Sequence, residues 1–119
     1  MNERPMVLLV EDEQELRWIC TRFLEKHFGK VLGARNGVEG LRVYAKYREQ
    51  IAAIITDQDM PIMDGATMLA HIREIDPNVK ALVVGSDGRD RPADVEYLQK
   101  PFDLDELLQK VRPLCEITN

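Results

Sequence analysis

Two alternating patterns in the 119-residue chain predict an α/β fold, a doubly wound parallel sheet of five strands covered by helices on both faces. Short continuous apolar runs, Met6 to Val10 above all, have the composition of strands buried on both sides. Between the runs, apolar residues recur at i, i+3, i+4 and i+7, the spacing of one helix face. Strand and helix patterns follow one another without internal repeats, so successive strands are joined by crossovers and lie parallel.

Residues 6–10 form the first strand, and Leu16, Ile19, Cys20, Phe23 and Leu24 then mark the inward stripe of a helix. Residues 30–34 give a weaker second strand, followed by a helix with Val38, Leu41, Tyr44 and Ala45 on its apolar side. The third strand covers 51–56. A helix over 65–75 turns Leu69, Ile72 and Ile75 inward and stops at Asp76-Pro77, because a proline ring disfavours helical backbone in the residue before it. Residues 81–84 and 95–99 are the fourth and fifth strands, and Leu104, Leu107, Leu108 and Val111 mark the last helix. One interval breaks the rhythm: residues 87–94 contain both Gly88 and Pro92 and are fewer than the about 11–12 residues of an average helix. The fourth helix is therefore short or missing.

The length fits one domain, residues 1–119, with room for a full core. With 45% hydrophobic and 31% charged residues the chain has enough apolar surface to fold, which excludes the disordered class. A net charge of -5 leaves no basic stripe to neutralise phosphates and excludes a nucleic-acid-binding surface. No apolar stretch approaches a membrane span and the N-terminus carries no signal-peptide pattern, so a cytoplasmic location without membrane partners is expected. Cys20 and Cys115 fall on apolar helical stripes and read as reduced core thiols. A monomer or weak dimer is expected.

In open parallel sheets the site lies beyond the carboxyl ends of the strands. Two acidic clusters stand there, Glu11-Asp12-Glu13 after the first strand and Asp57-Gln58-Asp59 after the third, where Pro61 and Gly65 forbid further strand. Two carboxylates about 4 Å apart repel by roughly 4 kcal/mol at an effective dielectric of about 20. A divalent cation relieves that repulsion, and an all-oxygen donor set suits Mg²⁺, which retains waters that a phosphoryl group can replace. A carboxylate beside such an ion is a nucleophile toward phosphorus. The transferred group then needs a cation and a hydroxyl or amide donor for its remaining oxygens. Lys100, aimed by Pro101 at the end of the fifth strand, supplies the cation; the hydroxyl is expected at Gly85-Ser86, where the fourth strand ends. Taken singly, Asp57 reads as a turn or cap residue and Lys100 as a surface lysine; their combination carries the chemistry.

With Glu11-Asp12 after the first strand, Asp57 followed by Met60-Pro61 and Asp64-Gly65, and Lys100-Pro101-Phe102 after the fifth, the chain resembles a response-regulator receiver domain of two-component signalling over essentially its whole length. The resemblance implies a flavodoxin-like strand order 2-1-3-4-5. It implies Asp57 as phosphoacceptor, Asp12 as a direct Mg²⁺ ligand, Glu11 as an acid acting on the metal's waters, and the backbone carbonyl of Asp59 as the last protein ligand. Lys100 would contact the phosphoryl oxygens, and the Lys100-Pro101 bond would be cis. The donor would be a histidine kinase or histidine phosphotransfer protein, and the response a change in binding to an output partner the sequence does not name. Such a module assists its own phosphorylation and dephosphorylation without being a turnover enzyme. The run from Tyr97 to Phe102 and the short fourth helix resemble the receivers of hybrid histidine kinases.

Receivers carry Ser or Thr at the end of the fourth strand. Counting from Pro77 places Gly85 there and Ser86 one residue late. Either the strand shifts by one, so that Ser86 serves as catalytic and switch hydroxyl, or Gly85 leaves the position to backbone amides; the shift is the reading adopted, because glycine eases a local adjustment. Tyr97 stands where receivers place a switch aromatic, and reads equally as a half-buried strand tyrosine. The charge of Asp59, two residues past Asp57, bears on phosphoryl lifetime. Trp18 lies about 200° around its helix from Leu16, off the apolar stripe, with Arg17, Thr21 and Arg22 near it, and is expected to dock a kinase or phosphotransfer helix. His27 and His71 read as surface histidines. Two alternatives stand beside this one. A pseudo-receiver would act by interaction without phosphorylation. A haloacid-dehalogenase-type phosphatase is echoed in Asp57-Gln58-Asp59, but there the nucleophile pair follows the first strand and the metal acids come later.

Overall fold

A computed structural model describes residues 4–88, 92 and 94–116. The element order is β1 (Met6–Val10), α1 (Gln14–Leu24), β2 (Val31–Ala34), α2 (Gly37–Tyr47), β3 (Ile51–Asp57), α3 (Gly65–Ile75), β4 (Ala81–Gly85), β5 (Glu96–Gln99) and α4 (Leu104–Cys115). The strands form one sheet in the order β2-β1-β3-β4-β5, and every pair is parallel. Strand ends differ from the expected ones by a residue: β3 runs through Asp57, β4 through Gly85, and β2 and β5 begin at Val31 and Glu96.

Alternation along the strands divides the interior in two. Leu9, Ile55 and Val84 face α1 and α4 and pack with Cys20, Leu24, Leu107 and Val111. Leu8, Val10, Ile54 and Val83 face α2 and α3 and pack with Tyr44, Met68, Leu69 and Ile72. Both cysteines are buried free thiols as expected, and burial pushes each up to about 11, so neither is a thiolate near neutral pH. Three helices have side-chain caps: Asn36 accepts from the Glu39 N–H, Asp64 from the Thr67 N–H, and Asp103 forms a capping box with Glu106. No helix among the described residues is long and apolar enough to cross a membrane.

Three apolar residues assigned to the interior lie outside it. Ile19 is 44% and Ile75 40% exposed, and Ala45 is exposed. Each sits at the margin of its stripe: at 100° per residue Ile19 is about 140° from Leu24, Ile75 about 120° from Leu69, and Ala45 about 100° past Tyr44. On α2 the inner face carries Tyr44 and Leu41 as expected but is completed by glycines. That helix buries Gly37, Gly40 and Tyr44. A Cβ on Gly40 would stand 2.6 Å from Met68 Sδ and 3.0 Å from Val10 Cγ2, so the glycine is what lets α2 close on α3 and β1.

Between β4 and β5 the described residues make bends and a turn, with no helix among them. The rest of that expectation falls on 89–91 and 93, outside the described residues. Arg73 of α3 reaches across to this connection and pairs with Asp94 at 2.6 Å.

Candidate functional site

The carboxyl ends of β1 and β3 are adjacent, Val10 beside Thr56. The residues that follow, Glu11 and Asp57, are therefore neighbours by construction, and Glu11, Asp12 and Asp57 each offer a carboxylate oxygen within 4.8 Å of the others. Two of the three acids are buried, Glu11 at 5% and Asp57 at 7% exposure, while Asp12 opens to solvent. The Glu11 carboxylate is fixed on both oxygens: Oε2 accepts from the Glu13 N–H at 3.0 Å, and Oε1 lies 3.5 Å from Lys100 Nζ. Arg17 of α1 donates to the Glu11 carbonyl at 2.6 Å, tying the helix to the strand end.

Lys100 arrives from the far side of the sheet. Its N–H donates to the Gly85 carbonyl at 2.8 Å, and the Lys100-Pro101 bond is cis. The ammonium lies 3.2 Å from Asp57 Oδ1. Burial opposes its charge, but Asp57 and Glu11 outweigh burial and hold its pKa above the ordinary value.

Among the described residues, one lysine faces the three acids. Burial first, then the Glu11 charge, push Asp57 up to about 7 against the opposing pull of Lys100. Burial and the neighbouring Glu11 charge together make ionisation of Asp57 costly. The donors are all hard oxygens, and their surplus charge fits a divalent cation such as Mg²⁺.

Residues 7–112 match the response regulator receiver domain family. The chain belongs to that family. It is 31% identical over 116 residues to the response regulator receiver protein CpdR of Brucella abortus, covering 91% of this chain and 94% of CpdR. It is 34% identical over 117 residues to the sensor kinase CckA of the same organism, covering 92% of this chain but 12% of the kinase. Among solved structures, the receiver domain from hybrid histidine kinase CckA superposes with a TM-score of 0.80 at 29% identity, covering 93% of this chain and 99% of that one. A CheX-CheY-BeF3-Mg²⁺ complex from Borrelia burgdorferi contains a chain matched at 25% identity and TM-score 0.83, with 95% and 90% coverage. The family assignment and the sheet order displace the phosphatase alternative.

The receiver departs from expectation at the end of β4. β4 stays in register with both neighbours, Asp57 beside Val84 and Gln99 beside Gly85, so the one-residue shift that would bring Ser86 into the strand end does not occur. Ser86 lies exposed in the bend beyond, its carbonyl accepting from Gln99 Nε2, and lines an open groove with Lys100 and Phe102. The physical reason is that glycine relieves no strain here: β4 and β5 stay hydrogen-bonded to their ends, leaving nothing to drive a bulge. Tyr97 is half-buried at the margin of the core under α2 and α3. Asp59 is exposed after β3, and its carboxylate is not among the three clustered acids.

Two features escaped the sequence reading. Gln58, the residue after Asp57, packs its side chain over Gly85; the only signal for it was a glycine where a side chain was due. Ile62 holds φ at 73° and is 80% exposed in the loop after β3. Pro61 and Met63 flank it, and no residue type there announces a left-handed backbone. Trp18 stands out on α1 at 62% exposure as expected, with the Arg22 guanidinium 5.3 Å from its ring centroid. His71 is exposed, whereas His27 is half-buried with its ring 5.0 Å from that of Phe23.

Proposed function

We propose that this receiver is a Mg²⁺-dependent phosphoacceptor, modified on Asp57 by a histidine kinase or histidine phosphotransfer protein, and that phosphorylation switches its binding to an output partner. The observation that carries this reading is the buried Asp57 carboxylate held 3.2 Å from Lys100 Nζ, with Glu11 and Asp12 beside it. An Asp57 carboxylate oxygen forms the bond to phosphorus while the bond from phosphorus to the donor's imidazole nitrogen breaks, the imidazole taking a proton from water. Lys100 already contacts Asp57 and stands ready for the charge that accumulates on the phosphoryl oxygens. Asp12 and Asp57, with the Asp59 carbonyl, would hold Mg²⁺, and Glu11 would accept hydrogen bonds from its waters. When bound, the ion supplies charge neutralisation to the phosphoryl oxygens and to the crowded carboxylates. The role lies in switching rather than turnover.

The names of two relatives support phosphotransfer as the setting, the sensor kinase CckA and the sporulation initiation phosphotransferase F of Bacillus subtilis, 26% identical over 119 residues. The chain spans 12% of the first, so which assembly contains it belongs to the proposal. The α1 face with Trp18 at its centre is the proposed contact for the donor helix, because an aromatic held open beside arginines is a strong docking group. Trp18→Ala should slow transfer from a protein donor and leave uptake from acetyl phosphate unchanged; equal loss with both donors counts against the docking role.

Intact-mass measurement after incubation with acetyl phosphate and Mg²⁺ tests the central claim. One phosphoryl group should be gained by the wild type and none by Asp57→Asn. A wild type that gains none, even from a partner kinase, would act as a pseudo-receiver instead.

A further inference from the structure

Asp57 and Gly85 end neighbouring strands, and Lys100 follows the end of the next. Asp57 pairs with Val84, the residue before Gly85, and the Lys100 N–H donates to the Gly85 carbonyl. A phosphoryl group on Asp57 in contact with Lys100 therefore lies against the middle strand end, at position 85. Its oxygens call for donors from every side. The acids that would hold the cation and Lys100 flank two sides, but the third belongs to a residue without a side chain.

The space beside Gly85 is nevertheless filled. A Cβ built on Gly85 would overlap Gln58 Oε1 and approach Gln58 Cβ to 2.9 Å and Cδ to 3.1 Å. The Gln58 side chain thus lies along the volume that a residue-85 side chain would take. Its backbone is pinned in place: the N–H donates to the Val84 carbonyl at 2.8 Å and to Asp57 Oδ1 at 3.1 Å, and its carbonyl accepts from the Gly65 N–H at 3.1 Å. A carboxamide carries two N–H donors and an acceptor.

We propose that Gln58 supplies from β3 the donor that β4 lacks, its carboxamide hydrogen-bonding the phosphoryl oxygens on Asp57. Gly85 and Gln58 then form one functional unit, each requiring the other: a side chain at 85 would evict Gln58, and a smaller residue at 58 would leave the third side of the phosphoryl group open. The inference rests on Asp57 being the phosphoacceptor.

Beryllofluoride with Mg²⁺, a phosphoryl mimic, provides a binding readout apart from transfer chemistry. Gln58→Met keeps length and removes the donors; it should weaken beryllofluoride binding about tenfold or more, the range expected for one hydrogen bond to a charged group. Packing and hydrogen bonding are separated by two double variants. Gln58→Ala with Gly85→Ser should recover most of the loss, whereas Gln58→Ala with Gly85→Ala, which refills the volume without a hydroxyl, should not. In the wild type, the side-chain amide resonances of Gln58 should shift on adding the mimic. Wild-type affinity in Gln58→Met, equal recovery by Ser and Ala at 85, or an unmoved Gln58 amide would each overturn the proposal while leaving Asp57 as phosphoacceptor. A wild type that takes up no phosphoryl group from acetyl phosphate and binds no beryllofluoride would sink both.

Discussion

Acids and cations meet at both ends of this sheet, with opposite outcomes. At the amino end of the strands, Asp76 accepts from the Tyr44 hydroxyl at 2.5 Å and lies 3.8 Å from Arg48. One carboxylate there has a hydroxyl donor and a nearby guanidinium. The hydrogen bond joins the residue after α3 to α2, and burial, then the Asp76 contact, raise the Tyr44 hydroxyl well above its usual range. At the carboxyl end, among the described residues, Glu11 and Asp57 share Lys100, with Asp12 beside them. The first arrangement is complete and ties elements together. The second crowds carboxylates at a standing cost to folding, and that crowding is what suits it to the proposed cation and phosphoryl group.

The largest expected effect tests that crowding directly. An ordinary carboxyl titrates near 3.8 and Asp57 near 7, so the folded state holds its proton more tightly. The stability this confers is fully present below pH about 4 and lost as pH rises through about 7. Metal-free wild type should lose about 2–4 kcal/mol across that window in urea denaturation. Asp57→Asn should abolish the slope, be the more stable protein at pH 7, and accept no phosphoryl group. A wild-type profile that is flat or rises with pH would remove the contrast between the two ends.

Lys100→Met comes next. It leaves the buried acids without their cation and should cost about 2 kcal/mol at pH 7, less than the roughly 3–5 kcal/mol for a fully buried pair because Lys100 is partly exposed. Added Mg²⁺ should recover part of that stability, while phosphoryl uptake remains slow. If the variant is as stable as wild type without metal, the acids are not in conflict. The smallest effect belongs to the amino end: Tyr44→Phe should cost about 1 kcal/mol, since Asp76 is open enough to take water in exchange. Phosphoryl uptake should not change; a Tyr44→Phe protein that phosphorylates differently would mean that the two ends communicate.

The acids were legible because strand ends are legible. An apolar run that stops in Glu11-Asp12 or in Asp57, with Pro61 and Gly65 beyond, announces both the strand and the residues at its tip. Lys100 was legible through Pro101, and the shortened connection through Gly88 and Pro92. Helix faces were read less well where the buried residue was not apolar: Gly37 and Gly40 line the inner face of α2, and a glycine contributes nothing to a hydrophobic stripe. Ile19 and Ile75 failed in the opposite sense, apolar side chains at stripe margins where the neighbouring layer ends.

Ser86 shows where local reasoning stops. A one-residue shift in β4 was compatible with the local sequence, but the strand is held in register from both sides, by Asp57 beside Val84 and by Gln99 beside Gly85. Likewise no short-range pattern ties Gln58 to Gly85; they meet because β3 and β4 are adjacent and a side chain is absent from one of them.

By itself, then, the amino-acid sequence determined the alternation of elements, the parallel sheet and which strand ends carry charge, since periodicity, strand-ending residues and acid clusters are properties of consecutive residues. Only the tertiary structure decided that Lys100 faces both Glu11 and Asp57, which residue fills the gap at Gly85 and which helix faces are inside. Those outcomes depend on register and distance between segments far apart in the chain, where sub-ångström differences separate contact from overlap.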